Sequence, residues 1–398
     1  MGVVQPKFQS DKPFVIYRAD SSGHDGFFGI DEYLATFPKS PWHHDNHYAG
    51  GIFEGIIAVR SERDPRYANI LTLDKHVARM MDSMASKLLV LRDGYNLTEA
   101  RTVFQEENPE LQLTEPPVPL FLDIDGKKLE SRIVQTLLKN FDSGAINLGQ
   151  LIYIRPRAGR GEKYDETGRV LPWLGVYGLD HEAVLEMSAI NVKGYLDSLQ
   201  KGGKKLPVVF IVGEPELVNP KMEKDAPHGI MTPERAIKAT ANYGWPGVLK
   251  GYAVNNGFAE TLVLDPYGMV LEGGGENVFM IKGHEVITPP LTQSVLPGTK
   301  RGIVKQIANL DGIKFTERPF HLDELMDADA MAVSGTWTGF KPVDALYHHG
   351  KRKTKSFNAE NETVARIDHV YDDIANDREV EPKFNDLQRR VLFPQRLS

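Results

Sequence analysis

The chain has no cysteine among its 398 residues. This absence excludes disulfide bonds, thiolate metal sites and a cysteine nucleophile, and it gives no sign of secretion. No apolar run approaches the length that a membrane-spanning helix needs, and we expect neither a signal peptide nor a myristoyl anchor. The sequence therefore predicts a cytoplasmic globular protein.

Positive charge is also scarce. The 47 lysines and arginines are outnumbered by 54 acidic residues, so the formal net charge of −7 offers no basic field to nucleic acid. We assign no metal site, because His43–His47 has neither helical spacing nor a distant partner ligand. The length allows two domains, which we place at 1–190 (small, N-terminal) and 206–398 (large, C-terminal), joined by a loop at 191–205.

Two segments carry the candidate chemistry. Lys238 is flanked by small residues, which leave room beside its amine. Glu272 follows a hairpin turn predicted at 265–268 and leads into a triple glycine, where backbone can approach a ligand closely. A lysine amine forms a Schiff base with an aldehyde cofactor, and a carboxylate keeps a pyridine nitrogen protonated. Each feature alone is more typical of a solvated lysine and of an ordinary turn.

Together the segments resemble the class IV pyridoxal-phosphate enzymes. The motif Lys238-Ala-Thr-Ala-Asn-Tyr243, followed by Glu272-Gly-Gly-Gly-Glu-Asn-Val-Phe279, is similar to this family and closest to its branched-chain aminotransferases. The resemblance implies an α/β (α+β type) two-domain fold of fold type IV, like that of D-amino-acid aminotransferase. It also implies pyridoxal 5′-phosphate as the cofactor, bound in the large domain, and a homodimer.

The resemblance assigns the cofactor contacts to particular residues. Lys238 is the catalytic residue and forms the Schiff base, Tyr243 contacts the phenolic oxygen, and Glu272 contacts the ring nitrogen. Arg79, one helical turn after His76, matches the family's phosphate-binding arginine, and a guanidinium suits phosphate oxygens.

A second group of residues is predicted to bind the phosphate. Leu296, Gly298, Thr299 and Lys300 form a turn before a helix, whose free N–H groups make an anion site. The family's usual threonine falls on Lys300, which either holds the phosphate as a point charge or turns to solvent. Thr336 matches a further phosphate turn of the family.

The predicted substrate-binding residues also come from family motifs; they are Tyr48, Phe53, Tyr153, Arg155, Gly275 and Trp337. Arg155 would accept a carboxylate, such as that of glutamate or 2-oxoglutarate. The implied function is transamination of a branched-chain or other apolar L-amino acid with 2-oxoglutarate, as in amino-acid biosynthesis.

Two alternatives remain open at this stage. Trp337 stands where the family has a small residue, and Arg157 and Arg160 add unusual positive charge. These departures, with Lys300, would suit a D-amino-acid or (R)-amine transaminase, or an enzyme like aminodeoxychorismate lyase. The other alternative is a non-catalytic binding or scaffold protein with the same fold.

Local patterns predict secondary structure as well. Helical spacing predicts helices over residues 74–89, 128–141, 243–255 and 363–375, with Asp74 capping the first. Strands are predicted at 70–73, 151–156 and 184–190, with Pro156 ending the second. The glutamate- and proline-rich segment 106–120 is predicted to be a surface insertion.

Overall fold

Two large β-sheets organise the chain in the computed structural model. The structure describes residues 14–41, 43–86, 99–111, 113, 118, 120–172, 178, 180–192, 200–201, 204–205, 207–213, 237–291, 295–387 and 390–392. Its helices are α1 (Ile30–Thr36), α2 (His44–Tyr48), α3 (Leu73–Ser86), α4 (Glu99–Glu107), α5 (Gly126–Asp142), α6 (Gly244–Asn255), α7 (Thr299–Leu310), α8 (Leu322–Met326) and α9 (Glu362–Ala375). Short 3₁₀ turns cover Thr240–Tyr243 and Pro382–Leu387. Every helix in this described part of the chain is too short or too polar to cross a membrane.

The strands follow the same numbering along the chain. They are β1 (Val15–Asp20), β2 (Asp25–Gly29), β3 (Ile52–Phe53), β4 (Ile56–Arg60), β5 (Tyr67–Ile70), β6 (Leu151–Arg160), β7 (Ala183–Val192), β8 (Gln200–Lys201), β9 (Lys204–Lys205), β10 (Val209–Val212), β11 (Glu260–Leu264), β12 (Val270–Gly273), β13 (Asn277–Lys282), β14 (Glu285–Thr288), β15 (Lys314–Glu317), β16 (Ala330–Gly335), β17 (Gly339–Val343), β18 (Ala345–His348), β19 (Lys353–Ser356) and β20 (Arg390–Leu392).

The first sheet has the strand order β2-β1-β7-β6-β4-β5-β20, and β3 also pairs with β6. All but the last strand come from residues before 193, whereas β20 returns from the far end of the chain to pair with β5. The predicted domain limits at 1–190, 191–205 and 206–398 stay a prediction. Much of the loop they include lies outside the described residues.

Helix α5 confirms the helix predicted over 128–141. It begins because the Asp125 side chain accepts a hydrogen bond of 2.7 Å from the backbone N–H of Lys128, a standard N-cap. Its buried face contributes Leu129, Ile133 and Leu137 to the core of the first sheet. Each fully buried side chain of this size stabilises the fold by about 1.5–3 kcal/mol.

The predicted strand at 70–73 is wrong in its second half. Strand β5 ends at Ile70, its last residue paired with β4, and α3 already begins at Leu73. Between them Thr72 adopts a left-handed conformation with φ of 58°, which turns the chain from strand to helix. Asp74 therefore lies inside the first helical turn and does not cap it. Residues 87–89 of the predicted helix lie outside the described part.

Pro156 does not end its strand, contrary to the sequence-based expectation. It lies in the middle of β6 and pairs with Met187 of β7. Its carbonyl faces the gap between β3 and β4, where it accepts a hydrogen bond from the Glu54 N–H. In an antiparallel strand the N–H and C=O of one residue point to the same side. The missing N–H therefore faces a place where regular pairing is already interrupted.

The second sheet has the order β15-β14-β13-β12-β11-β10-β18-β19, and β16 joins it through β13 and β17. The hairpin predicted at 265–268 is present between β11 and β12, and Gly268 supplies the positive φ of 77°. Helix α6 confirms the prediction over 243–255, since Pro246 falls in its first turn, where a missing N–H costs nothing. Helix α9 confirms the prediction over 363–375 and is capped by Asn361.

The start of α7 is fixed by tight packing against β13. Gly298 precedes the helix, and a Cβ built on it would lie only 1.9 Å from the Asn277 Oδ1 atom. The same Asn277 donates a hydrogen bond of 3.0 Å to the carbonyl of Leu296. Only glycine therefore fits before α7 without moving the asparagine that holds the preceding turn.

We expect Gly298→Ala to destabilise the protein by several kcal/mol, because the added methyl group must displace Asn277 and break its hydrogen bond. Gly302→Ala is the matched control in the same helix, since nothing lies within 4 Å of its ideal Cβ position. Alanine there should be neutral or should stabilise by about 0.5–1 kcal/mol. Chemical denaturation measures both, and equal effects of the two substitutions would contradict the packing argument.

Candidate active site

The backbone of Lys238 is attached to the first sheet. The N–H of Phe53 donates to the Lys238 carbonyl at 3.1 Å, and the Thr240 N–H donates to the Gly51 carbonyl at 2.7 Å. The lysine therefore lies where the two sheets meet, although it belongs in sequence to the second. Its Nζ atom lies 2.5 Å from the Tyr243 hydroxyl and 5.0 Å from the ring centroids of both Phe53 and Tyr243.

The surroundings of Lys238 favour its uncharged amine. Burial lowers the pKa of Lys238 to about 8, and the nearby Arg79 and Arg155 act in the same direction. The carboxylates of Glu54 and Glu272 partly oppose this change. An appreciable fraction of the amine is thus unprotonated near neutral pH, which a lysine nucleophile or base requires.

Glu272 lies across a small recess from Tyr243. Its Oε2 atom accepts a hydrogen bond of 3.2 Å from the Leu296 N–H, which holds the carboxylate beside the turn before α7. The recess has a volume of about 390 Å³, and Tyr243, Glu272, Gly275 and Leu296 all line it. The structure thus brings together four residues that the sequence predicted for one ligand.

Arg79 belongs to a buried ionic network that the sequence analysis missed. Its Nε and Nη2 atoms donate to the two Glu54 oxygens at 2.6 and 2.7 Å, and its Nη1 donates to the Pro297 carbonyl at 2.8 Å. Burial opposes ionisation of Glu54, but Arg79 and His76 hold its pKa at about 2. The available signal was a single acidic residue inside the apolar segment 52–57. Arg79 still has two N–H groups for an anion.

His76 completes this network and contacts α7. Burial lowers the pKa of His76 to about 4 against the effect of Glu54, so the ring is neutral near pH 7. Its Nδ1 lies 2.7 Å from Glu54 and its Nε2 lies 3.2 Å from the Thr299 hydroxyl. Because a carboxylate only accepts, Nδ1 carries the proton and Nε2 accepts the threonine's proton. The backbone N–H of Thr299, rather than its hydroxyl, then points to an anion site.

Lys300 does not turn to solvent, and that alternative is therefore wrong. The residue is only 3% exposed. Its Nζ donates to the Leu71 carbonyl at 3.1 Å and lies 3.4 Å from the Thr72 hydroxyl. Burial, and then Arg79, lower its pKa to about 7. In the described part of the chain, no carboxylate forms an ion pair with this buried amine.

Three of the predicted substrate residues form an aromatic wall beside Lys238. The Arg155 guanidinium lies over the rings of Phe53 and Tyr153, at 4.4 and 5.0 Å from their centroids. The Trp337 ring meets Tyr153 edge-on at 5.5 Å. The side chain of Tyr48, within α2, lies outside the described residues.

The remaining predicted residues line two further recesses around the start of α7. Arg79, Gly298 and Thr299 line one of them, together with Ile237, which also lines the recess of Glu272. Lys300, Thr336 and Trp337 line another, which extends between the two sheets. The first turn of α7 is therefore the point around which all the predicted cofactor residues are arranged.

Comparison with known proteins agrees with this arrangement. Residues 209–346 match the family model for class IV amino-transferases. A branched-chain-amino-acid aminotransferase of Escherichia coli is 36% identical over 121 residues, which are 30% of this chain and 38% of that protein. The chain thus aligns with little more than a third of the length of such curated relatives.

Solved structures extend the likeness to the whole fold. The branched-chain aminotransferase from Thermoproteus uzoniensis, solved with norvaline, has a TM-score of 0.65 at 21% identity, covering 95% of this chain and 99% of that one. The T.th. enzyme complexed with N-(5′-phosphopyridoxyl)-L-glutamate has a TM-score of 0.62 at 21% identity, covering 96% and 99%. The chain therefore has the two-domain α/β fold of type IV aminotransferases and contains a class IV amino-transferase domain.

Proposed function

We propose that the protein is a pyridoxal-phosphate-dependent aminotransferase that acts on a branched-chain or other apolar L-amino acid, with 2-oxoglutarate as the second substrate. The observation that carries the proposal is the buried Lys238 amine, which lies 2.5 Å from the Tyr243 hydroxyl and has its pKa lowered to about 8. Class IV membership of residues 209–346 supports the same reaction type.

The donor set fits pyridoxal phosphate. The group needs an amine for its aldehyde, a carboxylate for its ring nitrogen, a donor for its phenolic oxygen and cations or N–H groups for its phosphate. Lys238, Glu272 and Tyr243 meet the first three needs. Arg79 and the first turn of α7, with Thr336, would hold the phosphate. When bound, the cofactor supplies an electron-accepting ring that stabilises negative charge at the substrate α-carbon.

The chain's own residues would divide the work as follows. The unprotonated Nζ of Lys238 holds the cofactor covalently and, once the substrate amine has displaced it, carries a proton from the substrate α-carbon. The Tyr243 hydroxyl, at 2.5 Å, keeps that amine oriented between transfers. Glu272 stays ionised beside the ring nitrogen, held by the Leu296 N–H.

Arg155 would recognise the acidic second substrate. Its side chain is exposed beside Lys238, and two aromatic rings fix its guanidinium. A fixed guanidinium fork pairs well with a carboxylate. The complex of the T.th. enzyme with a phosphopyridoxyl-glutamate supports glutamate, and hence 2-oxoglutarate, as that substrate. The homodimer and the cytoplasmic location stay predictions.

A D-specific transaminase is the second candidate, favoured by Trp337. Its indole fills space against Tyr153, where a small residue would leave room. The extra arginines no longer favour this candidate. Arg157 pairs with Asp45 and Glu186, and Arg160 donates to backbone carbonyls, so both stabilise the scaffold.

The first test is the absorption spectrum of the purified protein with pyridoxal phosphate, before and after addition of L-leucine or D-alanine. We expect a visible band that Lys238→Ala abolishes, because the buried amine is the attachment point. We further expect L-leucine, and not D-alanine, to bleach it. Bleaching by D-alanine alone would assign the protein to the D-specific candidate. Absence of any band would favour the scaffold alternative.

The rate of cofactor capture should depend on pH through Lys238. Only the unprotonated amine attacks an aldehyde, so the rate should rise from pH 6.5 and level off above about pH 8, the pKa of Lys238. Stopped-flow absorbance on the apo-protein measures this profile. A rate that keeps rising with pH beyond 9.5 would show an ordinary lysine pKa and contradict the proposed role of burial.

Lys300 should couple phosphate affinity to pH. Its amine loses its proton near pH 7, so its attraction for a phosphate should weaken between about pH 6 and 8. Lys300→Thr should remove this dependence, and the ratio of wild-type to variant affinity for pyridoxal phosphate should fall by about tenfold over that range. Pyridoxal, which lacks the phosphate, is the matched control ligand. An equal fall with pyridoxal would contradict a phosphate contact.

A further inference from the structure

Two glutamates lie buried against each other beneath the triple glycine. Glu260 at the start of β11 is 1% exposed, and Glu276 after the glycines is 8% exposed. Their carboxyl groups are in hydrogen-bonding contact. A Cβ on Gly274 would lie 2.5 Å from a Glu260 oxygen, so this bend rests directly on the pair. Neither carboxylate has a part in the proposed reaction.

The groups that face the pair do not supply enough positive charge for two anions. Glu260 accepts hydrogen bonds from the Lys250 amine of α6 and from the Thr261 N–H. Glu276 accepts from the Thr338 hydroxyl at 3.0 Å and from the Gly275 N–H at 3.1 Å. Lys250 is the one cation that an ion pair of the described residues brings to these two carboxyls. Two ionised carboxylates in contact repel each other strongly, and a shared proton removes that repulsion.

The titration behaviour agrees with the geometry. Burial, and then the neighbouring Glu276 carboxylate, raise the pKa of Glu260 to about 8, although Lys250 opposes the change. A protonated Glu260 can donate the hydrogen bond that its contact with Glu276 needs, whereas an ionised one can only accept.

Glu276 connects two turns that belong to the candidate site. On one side it holds the bend that follows Glu272, through the Gly275 N–H and through a hydrogen bond of 2.6 Å from the Gly273 N–H to its carbonyl. On the other side it accepts from Thr338, in the turn between β16 and β17 that carries Thr336 and Trp337. One side chain therefore sets the distance between the ring-nitrogen carboxylate and the turn across the site.

We propose that Glu260 retains a proton at neutral pH and donates it to Glu276, and that Glu276, fixed in this way, is the positioning residue that holds the two turns together. The positioning half of this inference rests on the proposed transaminase function, whereas the shared proton does not.

The shared proton is tested without cofactor, by the unfolding temperature of Glu260→Gln and of the wild type between pH 4.5 and 9. A carboxyl whose pKa is raised on folding stabilises the native state below its unfolded pKa, and this contribution is lost as pH rises through the folded pKa. The unfolding temperature of the variant minus that of the wild type should therefore rise by several degrees from about pH 4.5 to about pH 8, then level off.

Glu285→Gln is the matched control, because its neighbours Thr316 and Lys314 lower the pKa of this exposed carboxyl. Its difference from the wild type should stay flat above pH 5. A flat difference for Glu260→Gln as well would overturn the shared proton.

The positioning role is tested by Thr338→Val, which removes the hydroxyl donor while keeping the side chain's size, and by Thr338→Ser, which restores the donor. We expect the valine variant to lose about tenfold in kcat/KM for L-leucine through kcat, while its unfolding temperature changes little, and serine to recover most of the loss. Full activity in the valine variant would overturn the role. A wild-type protein that binds no pyridoxal phosphate would overturn the proposed function and the positioning role, whereas the unfolding series still decides on the proton.

Discussion

The buried Glu54 carboxylate is the interaction on which the arrangement of the site depends. It accepts both branches of the Arg79 guanidinium and the ring proton of His76. Through these two residues it reaches Pro297 and Thr299, and thus connects the first sheet to the start of α7. Removing one partner of such a buried pair costs about 3–5 kcal/mol, because the other charge is left uncompensated. The network therefore holds the two sheets in one geometry more than it adds net stability.

Burial changes the charge of several groups around this network. The amines of Lys238 and Lys300 and the carboxyl of Glu260 are all pushed towards their uncharged forms. Glu54 is the exception, because a guanidinium directly contacts it and outweighs the cost of burial. Groups whose pKa values are moved apart within one site are typical of acid–base chemistry. Lys238 has the access to a recess and the aromatic surroundings that such chemistry needs.

The unusual residues of the sequence prove to have different roles once their contacts are known. Arg157 and Arg160 pair with acidic side chains and backbone carbonyls of the first sheet, so their charge is already used. Lys300 keeps a buried amine without a carboxylate partner among the described residues, which suits an anion. Trp337 packs against Tyr153 and reduces the space beside it. Position in the motif alone could not separate these outcomes, because each depends on the nearest groups from another element.

Local sequence determined the elements whose stabilising groups lie within a few residues of one another. Helices α5, α6, α7 and α9 follow from apolar spacing and from nearby caps or a proline at the start, and the hairpin at 265–268 follows from its own turn residues. The order of Lys238, Tyr243 and Glu272 likewise carried the family resemblance. Tertiary structure alone decided where partners distant in sequence meet. Pro156 continues its strand because a gap in β3 and β4 faces it, β20 crosses the molecule to pair with β5, and Glu260 meets Glu276 beneath a bend. These contacts depend on long-range packing and burial, and neither leaves a periodic signal in the sequence.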